Sequence, residues 1–136
     1  MAKYLLDTNI CIFFMKGKYA LDKRIMQVGL ENCFISEITA AELLYGAYHS
    51  KNERHISETK QFISEFVLIP ITNIIDDFAK EKDLLTNSGQ IIDDFDIMIG
   101  MTAVKNNFVM VTDNVKHLSR ITGIQIENWI ERKQDL

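Results

Sequence analysis

The sequence predicts a single α/β domain, a central parallel sheet of four to five short strands flanked by helices on both faces. Three observations predict it. Short apolar stretches recur along the chain and alternate with longer segments of helical period. The apolar stretches run nearly unbroken rather than alternating with polar residues, as strands covered on both faces do. The 136-residue chain has one proline, six glycines and no Ser/Gly linker, repeat or composition break, so residues 1–136 read as one domain.

The elements follow in order. Lys3 to Asp7 reads as a first strand running into a polar turn at Thr8-Asn9, with a helical stretch through Lys16. Leu21, Ile25, Met26 and Val28 mark an amphipathic helix closed near Gly29. Cys33 to Ser36 is a second strand, followed by helices over Thr39–His49 and Glu53–Phe66. Val67 to Ile71 is a third strand, and Pro70 places it at a sheet edge or a strand end. Thr72-Asn73 is the expected cap of a helix reaching about Asn87 and stopping before Ser88-Gly89. Asp93 or Asp94 caps a helix through Lys105. Phe108 to Thr112 is a fourth strand, and Ile124 to Ile126 a brief last one.

Composition narrows the function classes. The formal charge of −4 argues against holding duplex nucleic acid mainly through a dense basic face. It leaves room for a nuclease, whose metal site is itself acidic. Cys11 and Cys33 sit in apolar surroundings without metal spacing and read as buried free thiols in a reducing cytosol. The longest early apolar run, Ile10 to Met15, is far below the ~20 residues of a membrane span. Asp7 and Asn9 interrupt any signal-peptide core, so a cytoplasmic location is expected.

Carboxylates stand in places that cost energy. Asp7 lies at the carboxyl end of the first strand, where ligands of open parallel sheets bind, although it also suits a helix N-cap. Positions 38, 41, 42, 45 and 48 share a helix face reading Ile, Ala, Glu, Tyr, Tyr. Glu42 on such a face must be neutral, paired, metal-bound, or turned out at its edge. Asp96 falls on the inward face with Ile99, Gly100, Ala103 and Val104, and Gly100 and Ala103 are expected to bring that helix close to the sheet. Asp93 and Asp94 have the easier explanation of capping and first-turn charge. Asp113 and Asn114 follow the fourth strand and either donate oxygen or shape the turn. Three or four such oxygens converging in one cleft repel one another, and a divalent cation is the usual remedy. With His49, His55 and His117 scattered, Mg²⁺ or Mn²⁺ fits better than zinc.

At these residues the sequence resembles the PIN-domain ribonucleases of the VapC toxin type. The resemblance rests on Leu5-Leu6-Asp7-Thr8-Asn9, on Ile35 to Gly46 around Glu42, on Asp96 to Ala103, on Val111-Thr112-Asp113-Asn114 and on Ile126 to Trp129. It implies a Mg²⁺-dependent endoribonuclease with Asp7, Glu42 and Asp96 as acidic ligands, and Asp113 or Asn114 as a further one. Thr8, Asn9 and Thr112 are then expected to orient those carboxylates by hydrogen bonds. His117 stands where some relatives carry another acid, a departure that bears on a second metal position; Asp113 is the substitute, or Asp93 or Asp94 acting through water. Attack by metal-activated water, leaving 5′-phosphate and 3′-hydroxyl ends, follows from the resemblance, as do a tRNA substrate cut in the anticodon loop and arrest of translation. It also implies a VapB-type antitoxin, a homodimer, and a higher assembly on DNA through the antitoxin. The apolar surplus of Ile10 to Met15, extended by Tyr45 and Tyr48, is either core or the groove and interface for those partners.

Contacts to RNA are expected from Lys16, Lys18, Lys51, Arg54, Lys116 and Arg120, in loops and helix ends. Two other classes compete. A haloacid-dehalogenase-type phosphatase wants a second Asp two residues after the first, where Asn9 stands. A non-catalytic PIN or receiver-like module would bind metal or RNA without cutting; a receiver wants paired acids at the first strand, and only Asp7 is offered.

Overall fold

A computed structural model of the chain describes residues 1–132. The strands are β1 (Tyr4–Leu6), β2 (Cys33–Ser36), β3 (Leu68–Ile69), β4 (Val109–Val111) and β5 (Ile126–Glu127). The helices are α1 (Thr8–Met15), α2 (Leu21–Val28), α3 (Glu37–His49), α4 (Glu53–Ser64), α5 (Ile75–Asn87), α6 (Asp94–Lys105) and α7 (Val115–Leu118). All the strand pairs are parallel, in the order β3-β2-β1-β4-β5. The chain fills one side of β1 with β2 and β3, then crosses to the other with β4 and β5. The switch point therefore lies between β1 and β4, where open sheets of this kind leave a crevice at the strand carboxyl ends.

Strand side chains alternate between two cores. Leu6, Ile35 and Val111 face a core completed by Ile10 and Cys11 of α1, Leu21 and Ile25 of α2, and Leu43 and Phe62. Leu5 and Met110 face the opposite core, built from Leu85 of α5, Ile97, Ile99 and Ala103 of α6, and Leu118. Both faces are thus covered, as predicted, and Cys11 and Cys33 are free and buried.

The differences from expectation are local and have local causes. No separate turn follows β1, because Asp7 caps α1 directly and Oδ1 accepts from the Thr8 amide at 2.8 Å. Helix α3 begins two residues early, at Glu37, because Ser36 accepts from the Ile38 amide. Thr72-Asn73 caps nothing; Thr72–Ile74 is a 3₁₀ turn running into α5 without a side-chain cap. Strand β3 stops at Ile69 before Pro70, at the sheet edge. Strand β5 pairs at Ile126–Glu127 rather than Ile124–Ile126. Gly100 brings α6 close to the segment after β4 rather than to the sheet. A Cβ at Gly100 would collide with Ile121 Cδ1 and stand 3.3 Å from Leu118 Cδ1. Of the expected 1–136 domain, residues 133–136 lie outside the described residues.

Candidate active site

Asp7 stands at the switch point, only 4% exposed. Its two oxygens are held separately: Oδ1 accepts from the Thr8 amide, and Oδ2 accepts from the Thr112 hydroxyl at 2.7 Å. The Thr112 hydroxyl also accepts from the Asn114 amide, so one side chain ties the loop after β4 to the cap of α1. Capping and site formation are the same act for Asp7. Thr8, the first residue of α1, donates its hydroxyl to Glu42 Oε1 at 2.7 Å and lies 3.1 Å from the Thr39 hydroxyl. Thr39 is the residue that reading the sequence missed. It sits fully buried one turn before Glu42, and a hydroxyl-bearing residue three positions before a candidate ligand, on the same helix face, was the available signal.

The acids sense one another. Burial pushes the Asp7 carboxyl above its ordinary range, against the opposing pull of the Thr112 and Thr8 hydrogen bonds. Burial also raises Glu42, with further upward pressure from the charges of Asp7 and Asp93. Asp96 is pushed up to about 6, first by burial and then by the negative charges of Asp7, Asp93 and Glu42. Among the described residues no Lys or Arg forms an ion pair with Asp7, Glu42 or Asp96. Nor do three His, Cys, Asp or Glu side chains among them close into a ready metal cage. The carboxylates therefore share a field that no cation among the described residues offsets. Asn9 adds a buried Oδ1 with no hydrogen-bond partner among the described residues. An uncompensated all-oxygen donor set of this kind suits a hard divalent cation.

The remaining candidates separate. Asp113 is claimed by Arg132, which donates two hydrogen bonds of 2.8 and 2.6 Å, and by Asn128 at 3.2 Å. Arg132 holds the Asp113 carboxyl below its ordinary range. Asp93 caps α6 and contributes to the shared field, whereas Asp94 pairs with Lys82 at 3.0 Å. His117 is exposed on α7.

The face assigned to α3 needs correction. Its buried residues are Thr39, Ala40, Leu43 and Ala47, while Ala41, Tyr45 and Tyr48 point to solvent. Glu42 sits at the boundary beside Leu43, half-buried, rather than in the middle of an apolar stripe. In α1, Ile10 and Cys11 are core, Phe13, Phe14 and Met15 pack against it, and Ile12 is exposed. Of the basic residues, Lys16 shares a pocket with Glu42. Arg54 pairs with Glu58 at 2.9 Å, and Arg120 donates to the Ile91 carbonyl at 3.2 Å. Lys18, Lys51 and Lys116 are exposed, with no ion pair to an acid among the described residues.

Residues 4–124 match the family described as PIN domain. The tRNA(fMet)-specific endonuclease VapC of Salmonella typhimurium is 34% identical over 131 residues, covering 95% of this chain and 99% of the relative. The chain belongs to the PIN-domain family, among its VapC ribonucleases. The PIN-domain architecture is shared with the DNA-bound VapBC of Salmonella typhimurium, with TM-score 0.84, 32% identity, and coverage of 95% of this chain and 99% of that one. VapBC2 of Rickettsia felis, bound to a promoter DNA fragment, gives TM-score 0.83 and 30% identity, covering 93% of this chain and 98% of that one. Membership in the PIN-domain family sets aside the phosphatase and receiver-like alternatives. PIN-domain nucleases generally depend on a divalent metal. Among the described residues no helix is long and apolar enough to cross a membrane.

Proposed function

We propose that this chain is the endoribonuclease toxin of a toxin–antitoxin pair, hydrolysing RNA phosphodiester bonds with Mg²⁺, or Mn²⁺, held by Asp7, Glu42 and Asp96, with Asn114 as a further oxygen donor. The observation that carries this reading is the trio itself, unpaired among the described residues: three carboxylates from separate elements, each pushed toward protonation by burial, with two also raised by neighbouring acids. A bound divalent cation supplies Lewis acidity, lowering the pKa of water and offsetting charge on the phosphate. The chain supplies orientation. Asp7 is fixed through both oxygens, and Thr8 fixes Glu42 through Oε1, so two of the three carboxylates are positioned in advance. Covalent thiol catalysis finds no support, since burial raises both thiols, Cys33 to about 11. Direct attack by water fits, leaving 5′-phosphate and 3′-hydroxyl ends.

A tRNA cut in its anticodon loop is the proposed substrate, with arrest of translation as the consequence and the cytoplasm as the place of action. The named activity of the Salmonella relative supports that choice. A VapB-type antitoxin, a homodimer and assembly on DNA through the antitoxin are the proposed partnerships, in line with the DNA-bound VapBC complexes that share this fold. The experiment is incubation of the purified, antitoxin-free chain with total tRNA in Mg²⁺ or in EDTA. Metal-dependent cleavage that Asp7→Asn abolishes is expected; RNA left whole in Mg²⁺ would contradict the proposal.

A further inference from the structure

The buried face of α3 reads Thr39, Ala40, Leu43 and Ala47, a hydroxyl among three apolar side chains. Burial strips that hydroxyl of water, and a hydrogen bond must take the water's place. Helical threonines commonly donate to the carbonyl four positions back, as Thr86 does to Lys82 at 2.7 Å and Thr102 to Met98 at 2.8 Å. Thr39 does otherwise. Four positions back stands Ile35, in β2. Among the described residues the Thr39 hydroxyl bonds only that of Thr8 in α1, at 3.1 Å.

Counting protons fixes the direction of this contact. Two hydroxyls carry two protons. Glu42, as a carboxylate, only accepts, and its Oε1 lies 2.7 Å from Thr8 Oγ1, so the Thr8 proton goes there. The Thr8–Thr39 contact then takes the Thr39 proton, and the relay runs from Thr39 through Thr8 to Glu42. Each donor is polarised by the one behind it, which strengthens the bond to the carboxylate. Thr39 and Glu42 stand three positions apart on α3, so one helix face grips the Thr8 hydroxyl from both sides. Oε1 is thereby held, while Oε2 of Glu42 has no hydrogen bond among the described residues. Thr8 also gives its amide to Asp7 Oδ1 at 2.8 Å, so the residue that Thr39 steadies serves two acids of the cluster.

We propose that Thr39 is a positioning residue for the metal-dependent cleavage: through Thr8 it fixes Glu42 with Oε2 free for the ion. The inference rests on the nuclease reading and deepens it, adding a buried residue that touches neither ion nor RNA.

The test titrates Mn²⁺ calorimetrically into the metal-free full-length chain, then measures tRNA cleavage at saturating Mn²⁺. Thr39→Val keeps the shape of the side chain and removes the proton. It should melt in EDTA near the wild-type temperature, bind Mn²⁺ about ten-fold more weakly, and lose kcat with KM for tRNA unchanged. Thr39→Ser keeps the hydroxyl and should hold affinity and kcat within about two-fold of the wild type. In a Thr8→Val background, where the relay is already cut, Thr39→Val should cost nothing further. Wild-type Mn²⁺ affinity and kcat in Thr39→Val would overturn the inference. So would an equal penalty for Thr39→Val with and without Thr8, or a Thr39→Ser as impaired as Thr39→Val, since either makes the residue one of packing. A Thr39→Val chain unfolded in EDTA would do the same. A wild type that binds Mn²⁺ and cuts tRNA upholds the nuclease reading whatever the variants do; one that does neither overturns that reading and the inference with it.

Discussion

The hydroxyl of Thr112, at the end of β4, donates to Oδ2 of Asp7, at the end of β1, across 105 positions of chain. This bond spans the switch point of the sheet and fixes the carboxylate with the greatest burial in the acid cluster. Its partner on Oδ1, the Thr8 amide, belongs to the helix that Asp7 caps. Because β1 and β4 are parallel neighbours, the sheet itself brings these two residues together.

Thr112→Val should therefore do more than remove a contact. It leaves Oδ2 of a buried carboxylate without its donor, at a cost of about 1–3 kcal/mol. Urea unfolding at pH 7 measures that loss, and cleavage of tRNA should fall with it because Asp7 is no longer held.

Asp96 predicts a pH dependence. Its carboxyl titrates near 6 in the folded chain against 3.8 ordinarily, so the folded state binds the proton more tightly. That contribution to stability is fully present below pH ~4 and lost as pH rises through 6. The metal-free protein should thus lose stability across this window, and Asp96→Asn should flatten the difference. In EDTA at pH 7.5 the variant should melt above the wild type, yet cleave nothing. Saturating Mn²⁺ should reverse the order, since only the wild type gains the stabilisation of binding, about 2.7 kcal/mol at a hundred-fold excess over Kd.

Asp113 and Asn114 make opposite predictions despite adjacency. The charge of Asp113 is spent on Arg132. Asp113→Asn should leave Mn²⁺ affinity within about two-fold of the wild type, the range of a surface substitution. Asn114→Ala should weaken it. Calorimetric titration of both variants checks the pair.

Much of this architecture was legible because it depends on local pattern. Apolar strands between amphipathic helices fix a two-faced parallel sheet, and Asp7, Glu42 and Asp96 stood out as acids in costly positions. What was not legible depends on pairing across long separations. Nothing in the residues around Asp113 announces that Arg132 will neutralise it, or that Arg120 will turn to the Ile91 carbonyl. The face of α3 was misjudged because Tyr45 and Tyr48 are large and apolar enough to look like core, although Tyr45 is 70% exposed. Glu42 was identified through the wrong neighbours. Its actual partner is Thr8, a hydroxyl 34 residues away, which the family resemblance marked as a residue that orients the carboxylates without saying which one it would hold.

The central claim is that Asp7, Glu42 and Asp96 act together on one divalent ion. Titration of Mn²⁺ into the wild type and into Asp7→Asn, Glu42→Gln and Asp96→Asn tests it most directly. Each variant should bind at least about ten-fold more weakly than the wild type, with RNA cleavage lost in parallel. Wild-type affinity in all three would contradict the account.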